Sequence, residues 1–427
     1  MVIHIVRPGD SVYSLALEYG VPMSQIVEDN GISSTYQLTQ GQALVIQFPR
    51  QVHTVAPGET LSAVARQYGV SVRTLFQNNP ILGGRPEVYP GQTLVISYQG
   101  EKNGTLSVNG YAYPFIEQEL LYGSVPYLSD LTPFTYGFTP QGELVDLDDR
   151  ALIAAAHAGG AGALMHLSTL TQDGGFSNDL AHIALNDLRV QSNLIENVVQ
   201  RMEERGYHGL DVDFEYVFPE DAILYAQFIA TLRRRLSPLG WPVIAALAPK
   251  ISAQQQGLLY QGHDYAAIGA AADFVLLMTY EWGYTYGPPM AVAPLPNVRR
   301  VVEYALTEIP AGKIYLGVPT YGYDWPLPFV QGETRAQSIS PQTAVYRARK
   351  YAAVIQYSQS AQSPWFRYTD ESGREHEVWF EDARSIQAKL ALIPEYGLYG
   401  VGYWNLMRRF PQNWRVLSAL YDIRLPG

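Results

Sequence analysis

The segment GYHGLDVDFEYV, residues 206–217, carries carboxylates at Asp211, Asp213 and Glu215, each two positions from the next. On an extended strand alternate side chains share a face, so these three point one way while Leu210, Val212 and Phe214 point the other. Like charges this close resist simultaneous ionisation, and at least one carboxyl keeps its proton near neutral pH. A retained proton is what a general acid needs. Glu215 stands last and is expected to be that acid, with Asp213 and Asp211 behind it. A carboxylate cluster held by arginines for stability alone is the weaker reading, because buried ion clusters cost desolvation and stabilise little.

Such a strand needs a scaffold that buries its apolar face and opens its acidic face to substrate. Eight apolar, β-rich runs occupy residues 106–115, 127–138, 163–167, 210–216, 243–249, 274–280, 314–321 and 397–404, with amphipathic helical segments between them. That alternation predicts an α/β fold, a (β/α)₈ TIM barrel over residues 105–427. Barrel active sites open at the C-terminal ends of the strands, which is where Glu215 falls. The longest gap, about 327–394, holds PWFRYTD and EHEVWFED around ESGR, a hairpin pattern with a Gly turn, and predicts a small α+β insertion beside the active face.

Ahead of the barrel the chain repeats itself. HIVRPGDSVYSLALEYGV from His4 matches HTVAPGETLSAVARQYGV from His53, and GQALVI from Gly41 matches GQTLVI from Gly91. Each copy reads as strand, Pro-Gly turn, capped helix, short second helix, strand, with apolar positions such as Val12, Leu15, Ala16 and Tyr19 spaced as one helix face. Two βααβ domains are expected, 1–49 and 50–98, followed by a polar, Gly-containing linker at 99–104.

Composition narrows the chemistry. Of 427 residues 47% are hydrophobic and 16% charged, which fits packed domains and excludes a disordered chain. A net charge of -11 argues against nucleic acid or an anionic membrane as partner. No cysteine is present, so thiol catalysis and thiolate metal sites are excluded. The eight histidines form no helical His-x-x-x-His pair, and His157, His166, His182 and His263 read as core or surface residues. No metal and no cofactor are expected. No export leader is expected ahead of the first repeat, and no apolar run is long enough to insert in a membrane as a helix.

The two repeats resemble LysM modules. The resemblance implies binding of N-acetylglucosamine-containing glycans through Gly9, Asp10, Ser11, Val12, Asn30, Gly31 and Ile32, and through Gly58, Glu59, Thr60, Leu61, Asn79, Pro80 and Ile81 in the second copy. The acidic strand resembles the Asp-x-x-Asp-x-Asp-x-Glu signature of glycoside hydrolase family 18, with His208 in place of the first Asp. LLMTYEW, residues 276–282, resembles the Met-x-Tyr-Asp end of strand six in that family, with Glu281 in place of Asp, and Trp404 in GVGYWNLM resembles its floor tryptophan. The resemblance implies a retaining, substrate-assisted hydrolase in which the substrate's own acetamido oxygen is the nucleophile. Glu215, Asp213, Asp211 and Tyr280 would carry catalysis. Trp404, Met278, Glu281, Tyr111, Tyr113 and Tyr321 would bind substrate. Tandem modules without a leader resemble the spore-germination N-acetylglucosaminidases that degrade cortex fragments, which implies peptidoglycan as partner and a spore or cell-wall location. A chitinase is the alternative hydrolase, and a catalytically silent lectin or coat protein the alternative outside catalysis.

Overall fold

Strand four owes its place to the helix before it, and the same logic repeats around the barrel. In a computed structural model describing residues 1–32, 37–171 and 173–426, helix Leu188–Arg205 is capped by the Asp187 carboxylate, which accepts the N–H groups of Arg189 and Val190. It buries Leu194, Ile195, Val198, Val199 and Met202, a stripe at helical spacing, and Gly206 ends it at φ 79°. Each such side chain contributes roughly 1.5–3 kcal/mol of burial. The chain then turns directly into strand Gly209–Asp213.

Each of the eight expected runs overlaps a barrel strand. Thr105–Ala112, Asp130–Pro133, Gly162–Ser168, Gly209–Asp213, Val243–Leu247, Phe274–Leu277, Ile314–Pro319 and Gly400–Trp404 pair in parallel, in chain order, and the eighth closes on the first. A short strand, Asp422–Ile423, adds to the start of the first. Leu210, Val212 and Phe214 pack outward among the helices, while Tyr111, Leu164, Ile244, Leu276 and Tyr315 fill the barrel interior.

The insertion after strand seven is larger than a hairpin. Strands Gly322–Pro326, Gln337–Ile339, Gln356–Ser358, Ser363–Thr369 and Glu375–Trp379 form an antiparallel sheet beside helix Pro341–Lys350. The expected hairpin is its Ser363–Thr369 and Glu375–Trp379 pair. Its turn is held by Asp370 Oδ1, which accepts the N–H groups of Ser372 and Arg374.

The two repeats fold alike. Ser11 and Thr60 cap their first helices by accepting the N–H groups of Ser14 and Ala63, and Gly20 and Gly69 end those helices at φ 65°. His4 bonds Asp10 at 2.9 Å where His53 bonds Glu59 at 2.8 Å. Neither repeat hangs free. Arg415, in the last helix Pro411–Leu420, reaches Asp29 of the first repeat (Nε to Oδ1, 3.0 Å), donates to Gln47 Oε1 and to the Gln77 carbonyl of the second repeat, and lies over Tyr98. Both members of the ion pair are sealed, at 1% and 2% exposure. Residues 99–104 are tied down as well: Asn103 N–H donates to the Leu420 carbonyl at 2.7 Å, and Lys102 pairs with Asp422.

Candidate active site

Strand four ends at Asp213, so Glu215 stands two residues past it at the barrel mouth. Asp213 and Glu215 line a cavity of about 220 Å³ with Phe134, Met278, Tyr280 and Trp404. Asp211 lies one layer deeper, fully buried, with Oδ2 accepting the Tyr111 hydroxyl at 2.6 Å. Asp213 Oδ2 faces His166 Nε2 at 3.5 Å. The Oδ1 atoms of Asp211 and Asp213 have no hydrogen-bond partner, and Asp213 therefore brings an unused acceptor to the cavity.

Burial is the largest influence on every acid here. It pushes Asp211 up, against the pull of His166 and the Tyr111 hydrogen bond, and it pushes Asp213 up likewise. Glu215 is raised to about 8, first by burial and then by the charges of Asp213 and Glu281. Glu215 thus holds a proton at neutral pH. His166 is driven down to about 4 by burial, so its ring is neutral, and its Nδ1 lies 2.6 Å from Thr135 Oγ1. Tyr280 is raised well above 10 by burial and by the Asp213 and Glu215 charges, which keeps its hydroxyl a donor.

Met278 and Tyr280 follow strand six and both reach the cavity. Room for the Tyr280 ring comes from strand seven, where a Cβ on Gly317 would stand 2.9 Å from Tyr280 Cε1. Trp404 ends strand eight and packs edge-on against Phe134, centroids 4.8 Å apart. Glu281 adopts φ 66°, a conformation that costs a side-chain-bearing residue about 1–2 kcal/mol. It is anchored there by the hydroxyls of Tyr321 and Tyr323. Tyr321 and Tyr111 are buried and spend their hydroxyls on Glu281 and Asp211, outside the cavity wall. Tyr113 stands at the rim against Trp404 and stacks on Phe115.

His208, in the position where the family signature has its first Asp, bonds Asp130 at 3.0 Å at the foot of strand four, far down the strand from Glu215. His166 and Phe134 were not among the expected site residues. A signal for His166 existed, since Leu164, His166 and Ser168 alternate onto the inward face of strand three. Phe134 lies one residue beyond strand two and carries no such pattern. Among the described residues no group of three His, Cys, Asp or Glu is arranged to hold a metal ion, and no helix is long and apolar enough to cross a membrane.

The repeat residues divide into two kinds. Asn30 and Asn79 are buried and close their own folds: each donates to a carbonyl one turn back and exchanges both amide hydrogen bonds with Val45 or Val95 of the closing strand. Val12 and Leu61 are core. Gly9, Ser11, Gly58 and Thr60 remain exposed, and Asp10 and Glu59 brace the turns from beneath. Pro80 and Ile81 form an open turn in the second repeat. In the first, Gly31 abuts the barrel so closely that a Cβ would stand 2.1 Å from Gln342 Nε2, and Ile32 faces the same junction.

Residues 165–408 match the profile of glycosyl hydrolases family 18, and residues 4–47 and 53–97 each match the LysM domain. The chain is 44% identical over 99% of its length, and 99% of the relative's, to the cortical fragment-lytic enzyme of Bacillus subtilis (strain 168). The crystal structure of the Bacillus cereus spore cortex-lytic enzyme is similar with a TM-score of 0.84 and 38% identity, covering 99% of this chain and 98% of that one. A chitinase from Chromobacterium violaceum is similar at a TM-score of 0.69 and 26% identity, over 74% of this chain and 98% of its own.

Proposed function

The chain belongs to the glycosyl hydrolases of family 18, and on that premise we propose that it cleaves N-acetylglucosaminyl bonds in spore cortex peptidoglycan fragments with retention at the anomeric carbon. One observation carries the reading: a protonated Glu215, an open Asp213 acceptor and the Tyr280 donor converge on a single cavity. Glu215 donates its proton to the leaving glycosidic oxygen. The substrate's acetamido oxygen attacks the anomeric carbon, Asp213 takes the acetamido N–H and offsets the charge of the oxazolinium, and Tyr280 holds the acetamido oxygen. Asp211, held by Tyr111, shares a proton with Asp213, and neutral His166 orients Asp213 from the side. Trp404 floors the sugar and Met278 packs beside it. Water then opens the oxazolinium, with Glu215 acting as base.

Cortex is favoured over chitin because the likeness to cortex-lytic relatives spans 99% of the chain, both repeats and the barrel included, whereas the chitinase likeness covers 74% of it. The LysM modules bind the glycan strands, with the exposed Gly58–Thr60 and Pro80–Ile81 loops of the second module as the contact surface, and the protein works in association with the spore. Mass spectrometry of products from cortex fragments and from chitin oligomers tests this. N-acetylglucosaminyl cleavage of cortex fragments at the higher kcat/KM is expected; preferred turnover of chitin oligomers would overturn the substrate assignment, and no turnover of either would leave a glycan-binding protein.

A further inference from the structure

Thr135 stands two residues past the second barrel strand, Asp130–Pro133, and its side chain is buried. Its hydroxyl oxygen lies 2.6 Å from His166 Nδ1 and 3.0 Å from the hydroxyl of Ser168, the last residue of the third strand. His166 reaches the other way with Nε2, which faces Asp213 Oδ2 at 3.5 Å. The imidazole is wedged in this position. The Phe134 ring lies against it, centroids 4.7 Å apart, and the Tyr111 ring meets it edge-on at 5.7 Å. Contacts therefore run from Thr135 after strand two, through His166 on strand three, to the Asp213 carboxylate at the end of strand four.

A neutral imidazole has one N–H and one bare nitrogen, and the partner of one nitrogen decides the state of the other. Burial keeps the His166 ring neutral. An ionised carboxylate can only accept, so the nitrogen facing Asp213 carries the hydrogen; a hydroxyl can donate, so the nitrogen facing Thr135 is the bare one. With the tautomer reversed, the Nε2 lone pair would point at Asp213 and favour its protonated form. Among the described residues no cation faces Asp213 to hold it ionised instead. Asp211 and Glu215 flank it on its own chain segment and are acids themselves, and Glu281 adds only negative charge beside Glu215. Tyr111 of strand one gives its hydroxyl to Asp211. Tyr280 after strand six and Tyr225 of helix Ala222–Leu236 are phenols that burial keeps uncharged.

We propose that Thr135 is a positioning residue for the reaction: its hydroxyl donates to His166 Nδ1 and fixes the Nε2–H tautomer, and that N–H holds the Asp213 carboxylate with Oδ1 free for the acetamido N–H of the substrate. The proposal rests on the substrate-assisted reading given above, and its tests separate the two. Thr135→Val keeps the side-chain shape and removes the donor. It should lower kcat about tenfold with little change in KM, the lower end for a hydrogen bond to a charged group. Asp213 works ionised, and without the donor it gains its proton more readily. The acid limb of the pH–rate profile should therefore move to higher pH, by about one unit. Thr135→Ser, which returns the hydroxyl, should restore both. In a His166→Gln background Thr135→Val should lower kcat no further. Nitrogen NMR of the full chain with isotope-labelled histidine, His166 being identified by its loss in His166→Gln, should find the hydrogen on Nε2 in the wild type and on Nδ1 in Thr135→Val. An Nδ1–H tautomer in the wild type would overturn the proposal, and that measurement decides even if Thr135→Val does not fold. An unmoved acid limb in folded Thr135→Val, or equal losses with and without His166, would overturn it too. If no N-acetylglucosaminyl bond were cleaved while the tautomer reversed as stated, the catalytic reading would fall and the hold of Thr135 on His166 would stand.

Discussion

Arg415→Met should destabilise the protein by about 3–5 kcal/mol, the range for breaking one side of a buried ion pair. The structure leads to the same size independently. Nε and Oδ1 are 3.0 Å apart with both side chains sealed, and an effective dielectric of about 20 gives roughly 5 kcal/mol for unit charges at that distance. The Gln47 and Gln77 oxygens lose their donors as well. Replacing both partners, Asp29→Leu with Arg415→Met, should recover at least ~2 kcal/mol, because no charge is then stranded. The sign of the pH dependence follows from Asp29, whose carboxyl burial raises above its ordinary 3.8 while Arg415 opposes the rise. Without Arg415 the folded protein binds a proton there that the unfolded chain does not. Stability of the single variant should therefore fall as pH climbs from 3.8 through the raised value; below 3.8 the stranded-charge part of the penalty should vanish, leaving the cost of the donors lost by Gln47 and Gln77. Chemical denaturation of wild type, both single variants and the double variant between pH 3 and 8 measures all of this. A loss under about 1 kcal/mol for Arg415→Met at pH 7, or a double variant no better than the single, would refute the reasoning.

Four further outcomes are expected. Glu215→Gln should lower kcat on cortex fragments about 10²-fold or more while circular dichroism stays unchanged, since the amide keeps the shape and cannot donate the proton. The acid works protonated, so kcat/KM should decline as pH rises through about 8; Glu281→Gln, by removing a charge that helps hold that proton, should move the decline to lower pH in a pH–rate profile. A thiazoline analogue of the oxazolinium should inhibit competitively and a glycan with a free 2-amino group should not be cleaved, whereas a covalent glycosyl ester trapped on a carboxylate would exclude the substrate-assisted route. Deleting residues 1–98 should lower the melting temperature of the remaining barrel, because it strands Arg415 without Asp29, Gln47 and the Gln77 carbonyl, which scanning calorimetry would register.

The barrel and the acidic strand were legible because both rest on local periodicity. Two-residue spacing put Asp211 and Asp213 on the inward face, and the same alternation put Leu210 and Val212 against the helices. Tertiary placement was not legible. Tyr111 and Tyr321 share the residue type of a sugar-stacking ring, yet their hydroxyls are consumed by Asp211 and Glu281, partners 100 and 40 positions away. Asn30 and Asn79 show how a module's signature residue can belong to its fold instead of its exposed surface. The docking of the modules left no trace either: PQNWRVLSAL reads as an ordinary amphipathic helix, and nothing in it announces that its arginine ends against a carboxylate 386 positions earlier.

That arginine also bears on how a duplicated gene segment can drift. Two identical modules could occupy either berth. Asp29 of the first now aligns with Asn78 of the second, and Arg415 takes a side-chain charge from one copy but a backbone carbonyl and the face of the Tyr98 ring from the other. Transposing the modules would place a neutral amide beside the guanidinium and carry the carboxylate to the berth where Arg415 now meets a carbonyl and a ring face. The copies have become left and right hands of one assembly, and recombination between them, harmless to each fold alone, is penalised by a residue that belongs to neither.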